Sequence, residues 1–247
     1  MEKLNSRSDD PYFEQILKIA DEYNFTPEFM LTHFLTFIQQ RKLPRLLAHY
    51  ELFKKIQYLP GSILECGVFV GQGLFTFANF LETFCTTDRT RFAIGFEGFD
   101  GYDDFSDQDN EMSAYAKLHN ENYIINDAAL EALLTAKTSD NVLKGVPRAK
   151  LIKGDVRVTL PKFIEENGGL RICLLYLDVN LYDPTKLCLE SLLPLVVPGG
   201  VVAFNGYGNG LHNGESRAVD EVLQEFNIKP HMQTFDFSPQ PSMYFQL

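Results

Sequence analysis

The stretch Ile63-Leu64-Glu65-Cys66-Gly67-Val68-Phe69-Val70-Gly71-Gln72-Gly73-Leu74 restricts what this chain can become more than any other. A short apolar run ends in Glu65, glycines follow at positions 67, 71 and 73, and an amphipathic segment continues through Leu81. The pattern predicts a strand, a tight turn and a helix. Glycine is the residue that permits a backbone turn at positive φ, or lets a ligand lie against the main chain. The spacing Glu-x-Gly-x-x-x-Gly-x-Gly differs from the Gly-x-Gly-x-x-Gly of dinucleotide sites, which counts against a nicotinamide-dependent oxidoreductase. Taken alone, the cluster also fits an ordinary βα turn in any α/β protein. The other strand ends have to decide.

Upstream, apolar residues recur at helical spacing from Asp10-Pro11 to about Asn24. Thr26-Pro27-Glu28 has the form of a helix start, with Thr as N-cap and Pro in the first turn; that helix carries Phe29, Met30, Phe34, Phe37 and Ile38. A further helix is predicted from Lys42 or Pro44 to Ile56. These helices make residues 1–58 an N-terminal cap, serving as packing, as a dimer contact or as a lid, with its first ten residues polar and frayed. Residues 59–247 form the main domain.

Within that domain, Arg91–Glu97 reads as a second strand ending in an acid. Residues 98–123 then form a long connection rich in aromatic and acidic side chains: Phe99, Tyr102, Phe105, Tyr115 and Tyr123 among Asp100, Asp103, Asp104, Asp107, Asp109 and Glu111. A connection of that length inside a compact domain is usually functional, and a substrate-facing lid is the preferred reading over a merely solvated loop. Asn126 or Asp127 caps a helix through about Ala136. Strand Ala149–Lys153, the pair Gly154-Asp155 and a helix through Glu166 follow. Arg171–Asp178 is almost unbroken apolar, as a strand buried on both faces should be. A helix from Pro184, a turn at Gly199-Gly200, strand Val201–Asn205, a helix over Glu215–Phe226 and a closing pair of strands at 231–237 and 241–247 complete the chain. Strands alternating with helices imply a parallel, doubly wound sheet, here with one antiparallel member.

Charge and cysteine usage narrow the function. A formal net charge of −11 disfavours nucleic acid or an anionic membrane as the main partner. Cys66, Cys85, Cys173 and Cys188 have no C-x-x-C spacing and read as reduced thiols, so a zinc site and a disulfide framework are not expected. The chain has no apolar run near the twenty residues a membrane span needs. A cytoplasmic location is the expectation. There is no Gly-x-Ser-x-Gly elbow for nucleophilic hydrolysis and no Gly-Lys-Ser/Thr for a phosphate loop.

Ligands of open α/β sheets bind beyond the carboxyl ends of the strands. Four strands here end in Glu65/Gly67, Glu97, Gly154-Asp155 and Asp178. With these in place the chain resembles the macrocin O-methyltransferase (TylF-type) branch of class I S-adenosylmethionine (SAM) methyltransferases, which methylate sugar hydroxyls. The matching stretches are Pro60–Val68, Gly95–Gly101, Lys153–Pro161, Leu177–Thr185 and Gly214–Glu221, within a resemblance covering about residues 45–247. The resemblance implies a Rossmann-like fold and SAM in the cleft. Glu65, Gly67 and Gly71 would lie near its methionine end, Glu97 on its ribose, and Asp155 and the backbone of Val156 near its adenine, with Val68, Gly98 and Asp178 also among the cofactor-binding residues.

The family also uses a divalent cation, usually magnesium, held by acids after the fourth and fifth strands. Asp178 matches the first of them. Where the family carries two adjacent acids before a Tyr, this chain has Asn205-Gly206-Tyr207. Three outcomes follow: methyl transfer without metal, weak magnesium binding through Asp178 and Asn205, or a SAM-binding protein that has lost catalysis. A base is still wanted for a hydroxyl acceptor. His119, in the long connection, and His212, just past the altered position, are the candidates, while His33 and His49 on helices and His231 on a strand read as packing. The expected acceptor is a small sugar or glycoside, and a homodimer through the helical cap is a further expectation.

Overall fold

A computed structural model describes residues 11–120, 124 and 126–247, so the segment 1–10 and Tyr123 lie outside the described residues. The helical cap begins with α1 (Pro11–Glu22), α2 (Pro27–Thr32) and α3 (Phe34–Phe37). Thr26 caps α2 as predicted, its Oγ1 accepting from Phe29 N at 3.1 Å. The single helix expected beyond it is broken at His33, whose ψ of 34° leaves the helical range. The exposed His33 ring rests on Phe29, with centroids 4.5 Å apart. A 3₁₀ turn over Gln40–Lys42 leads into α4 (Leu43–Ile56).

The main domain alternates β1 (Ser62–Cys66), α5 (Gln72–Phe84), β2 (Ala93–Glu97), α6 (Asn110–His119), α7 (Asp127–Asp140), β3 (Ala149–Lys153) and α8 (Val156–Glu166). It continues with β4 (Ile172–Leu177), α9 (Tyr182–Leu192), β5 (Val196–Phe204), α10 (Asn213–Glu225) and β6 (Met243–Gln246). The strands lie in the order β3-β2-β1-β4-β5-β6. All pairs are parallel except β5–β6.

Period-two alternation sends successive side chains to opposite faces. Leu64, Cys66, Leu175, Leu177, Val202 and Phe204 pack against Leu160 of α8, Leu189 of α9 and Val219 of α10. Ile63, Leu174, Tyr176, Val201 and Ala203 pack on the other face against Leu52, Phe53 and Ile56 of α4 and Leu74 and Phe77 of α5. Fully burying each large apolar side chain contributes roughly 1.5–3 kcal/mol. The core of the sheet thus includes the last helix of the N-terminal cap.

Four expectations change. The connection after β2 is not a plain loop: Asp109 precedes the ten-residue helix α6, which places His119 at a helix end. Strand β5 starts at Val196 and runs through Gly199, whose φ of +81° lets the chain bend without ending the strand. Helix α9 begins at Tyr182, ahead of Pro184, because proline is tolerated in a first turn. The strand foreseen over 231–237 shrinks to a bridge between Gln233 and Tyr244, leaving His231 in a loop. Of the described residues, no helix is long and apolar enough to cross a membrane.

Candidate active site

The sheet changes direction between β1 and β4, which leaves a crevice where the loops after those strands diverge. Gly67 and Asp178 sit there side by side. The Asp178 amide donates to Cys66 O at 2.8 Å and the Gly67 amide to Phe96 O at 2.9 Å. Gly67 has φ +88°, and a Cβ on it would collide with the Asp178 carbonyl. Glycine is therefore required for two reasons, the left-handed backbone and the neighbouring chain.

A cleft of about 500 Å³ opens over this crossing. Of the residues singled out from the sequence, Gly67, Val68, Glu97, Gly98, Asp155, Val156, Asp178, Asn205 and His212 line it. Three do not. Glu65 points to the α5 face and is only 1 % exposed, tucked beneath Gly73 and the backbone of Leu74. Its burial pushes the carboxyl up to about 8. Gly71, at φ +87°, starts α5 and faces Phe75 and Leu130. His119 packs on Tyr115, with centroids 4.5 Å apart, away from the cleft.

Glu97 closes the second strand with its carboxylate facing main-chain donors. Oε2 accepts from Phe69 N at 2.6 Å, and Oε1 from Gly98 N at 2.9 Å and Phe99 N at 3.2 Å. A carboxylate has about four acceptor sites, so one remains on Oε2 for a donor in the cleft. Asp155 caps α8, accepting from Arg157 N at 2.8 Å. The Arg157 side chain returns to both Asp155 oxygens and also pairs with Asp104. Hydrogen bonding to Arg157 holds the Asp155 carboxyl below its ordinary range.

Asp178 is the most heavily engaged group. Oδ1 accepts from Asn205 Nδ2 at 2.8 Å and Asn180 Nδ2 at 3.1 Å, and Oδ2 accepts from Arg45 Nη2 at 3.2 Å. Burial pushes its carboxyl up, while Arg45 and the two amides pull it down. Asn205 spends its own carbonyl oxygen on the Tyr176 hydroxyl at 3.1 Å. A side chain at Gly206 would press on the His212 ring and Glu215 Oε2. Buried Glu215 accepts from the Gly206 amide at 2.9 Å, and burial raises its carboxyl to about 8. Among the described residues, no group of three or more His, Cys, Asp and Glu could hold a metal ion. Asp178 is tied to Arg45, Asn180 and Asn205, and the unpartnered oxygens nearby, Asn180 Oδ1 and Glu215 Oε2, are buried, so the donor set does not fit magnesium, which wants several accessible hard oxygens.

His212 faces this cluster. Burial lowers its pKa, the backbone of Asn180 partly offsets that, and Nδ1 has no partner. That nitrogen is buried, and a neutral imidazole at the edge of the cleft can accept a proton.

The acidic connection roofs the cleft. Tyr102 meets Asn180 Nδ2 at 2.8 Å, Asp104 pairs with Arg157, and the buried Asp109 accepts from Tyr182 N at 2.8 Å at the start of α9. Arg45, Asn180 and Gln240 also belong to the site without having been singled out. Asn180 could have been found, as an Asn in the short loop after a buried strand, since Asn tolerates the left-handed conformation (φ +62°) that it takes there. Arg45 carries no such signal, because its position depends on how a remote helix docks.

A sequence profile described as macrocin-O-methyltransferase (TylF) matches residues 29–246, beginning in α2 and so reaching further upstream than the motifs do. The fold is similar to the crystal structure of CalS11, a calicheamicin methyltransferase, with 26 % identity, a TM-score of 0.85, and coverage of 98 % of this chain and 93 % of that one. An apo structure of CalS11, described as a TDP-rhamnose 3'-O-methyltransferase, matches with 26 % identity, a TM-score of 0.78 and coverage of 98 % and 95 %. The O-methyltransferase NovP shares the fold at 21 % identity and a TM-score of 0.67, covering 82 % of this chain and 79 % of that one. No curated protein matches in sequence.

Proposed function

The chain belongs to the macrocin O-methyltransferase family, and we propose that it moves the methyl group of SAM onto a hydroxyl of a sugar or sugar-bearing small molecule bound in the cleft over β1 and β4. The observation that carries this reading is the convergence of Gly67, Glu97, Asp155 and Asp178, from four strand ends, on one cleft. CalS11, which shares the fold over nearly its whole length, is described as acting on TDP-rhamnose, and an acceptor of that class suits a polar cleft of this size.

In this reading Gly67 and Val68 lie against the methionine end of SAM, Glu97 offers its open acceptor site to a ribose hydroxyl, and Asp155 and Val156 border the adenine. Bound SAM supplies an electrophilic methyl on sulfur. The residues around Asp178 hold the acceptor hydroxyl in line with it, which replaces a bimolecular encounter by an oriented one. As the oxygen–methyl bond forms, the methyl–sulfur bond would break to leave S-adenosylhomocysteine, and the hydroxyl proton would pass to His212. His119 has no part in this step, since it lies outside the cleft. The exposed Leu17, Leu31 and Leu35 of the N-terminal helices support a homodimer through the cap, which sedimentation velocity checks.

Calorimetry with SAM and S-adenosylhomocysteine, followed by mass spectrometry of TDP-rhamnose incubated with enzyme and SAM, tests the reading. Micromolar binding and a product one methyl heavier are expected. If neither cofactor form binds, the assignment of the cleft is wrong.

A further inference from the structure

We propose that the guanidinium of Arg45 supplies the fixed positive charge at the acceptor end of the cleft, so that methyl transfer proceeds without a divalent cation. The inference rests on the methyltransferase reading above and deepens it.

Three observations converge on Arg45. It comes from α4, whose buried face is anchored by Leu52, Phe53 and Ile56, and it reaches the cleft with its side chain 25 % exposed. Its Nη2 donates to Asp178 Oδ2 at 3.2 Å and its Nη1 to Gln240 Oε1 at 3.3 Å, while Nε has no partner. Nε is buried, but a guanidinium has five N–H donors, so the second hydrogens on Nη1 and Nη2 remain for an oxygen in the cleft.

The second observation is the chemistry lost nearby. Asn205 turns its amide N–H toward Asp178 and its carbonyl toward Tyr176, and Gly206 contributes no side chain. Asp178 is the one carboxylate that pairs with Arg45, burial holds the neighbouring Glu65 and Glu215 carboxyls up at about 8, and a +1 group neutralises the charge on Asp178. Two or three carboxylates with a single arginine would leave the site negative and repel a developing alkoxide. The third observation is steric. An acid restored at position 206 would meet the His212 ring and Glu215, so the loop is packed around the glycine.

The result is a charge that is covalently part of the chain. Arginine stays protonated at any working pH, so it stabilises negative charge on the acceptor oxygen but takes no proton from it. The proton still goes to His212. Such preorganised donors, in a site shielded from water, are worth about 10²–10³ in rate.

The test uses the full chain and manganese(II) chloride as the metal probe. Electron paramagnetic resonance of Mn²⁺ titrated with wild-type protein should show only free ion, or binding that Asp178→Asn leaves intact. Binding that Asp178→Asn abolishes would overturn the proposal. This arm needs no acceptor. With TDP-rhamnose as acceptor, wild-type turnover should be the same in EDTA and in added magnesium, and a loss in EDTA that magnesium restores would also overturn it. Arg45→Gln should retain SAM binding by calorimetry and lose about 10²-fold in kcat. Arg45→Lys keeps the charge and should turn over faster than Arg45→Gln; equal rates would count against the proposal. Failure of wild type to bind SAM would instead remove the methyltransferase reading, so the two failures are distinguishable.

Discussion

At the scale of single residues, Gly67 and His212 carry the sharpest expectations. Gly67→Ala forces a side chain into the left-handed region and onto the Asp178 carbonyl. A loss of about 1–3 kcal/mol in stability is expected from the strain, together with weakened SAM binding. Urea denaturation and calorimetry measure the two. For His212, burial lowers the pKa from its ordinary 6.5, so the imidazole is mostly neutral at pH 7. The acid limb of kcat/KM should therefore lie below pH 6.5. His212→Gln should remove that limb and lower kcat by about 10²–10⁴-fold. A pH–rate profile unchanged by the substitution would exclude His212 as the base. Gly67 and His212 were both legible in the sequence, one from its glycine spacing and the other from its place after β5. Glu65 was legible as the polar end of a strand, yet its location was not. Alternation along β1 sends it behind the cleft and under α5, which no motif reveals.

At the scale of elements, α4 links the cap to the catalytic cleft. It presents Arg45 to the cleft and, one turn later, buries His49 between Phe77 and Tyr176. Burial, helped by the charge on Arg45, drops the His49 pKa to about 3, and neither ring nitrogen has a partner. The folded value is below the unfolded one of about 6.5, so the unfolded chain takes up the extra proton. The stability concerned is present above pH 6.5 and is lost as pH falls toward 3, by about 1.4 kcal/mol per pH unit. His49→Leu should flatten urea-derived stability between pH 6.5 and 5 by up to that slope, and an unchanged slope would contradict the assignment. Reading His49 as packing from its helical position was sound, because the helix was legible from periodicity alone. The break between α2 and α3 was not, since it turns on one ψ angle at His33. Nor was α6, whose short amphipathic pattern is masked by the acids around it.

At the scale of the whole molecule, the parallel doubly wound sheet was implied by the alternation of strands and helices, and its ligand-binding edge by the four polar strand ends, because open α/β sheets bind ligands beyond the carboxyl ends of their strands. What could not be read was how the 98–109 connection crosses that edge. Arg157 ties it to α8 through Asp104 and Asp103. These acids are largely exposed, so Arg157→Ala should change the melting temperature little. It should nonetheless weaken SAM binding, because Asp155 loses the side chain that orients it. Equal affinity in the variant and wild type, by calorimetry, would show that the tie is incidental.

Asp109 connects the roof to the wall of the cleft more firmly. Its Oδ2 accepts from Ser106 N at 3.0 Å within the roof, and its Oδ1 accepts from the first amide of α9. Gly214, at the start of α10, has room for Asp109 only because it lacks a Cβ. Lifting the roof therefore strands a buried carboxylate and uncaps a helix at the same moment. The roof and the wall of the cleft are thus joined through one carboxylate, and any opening of the roof has to be accommodated at the starts of α9 and α10 together.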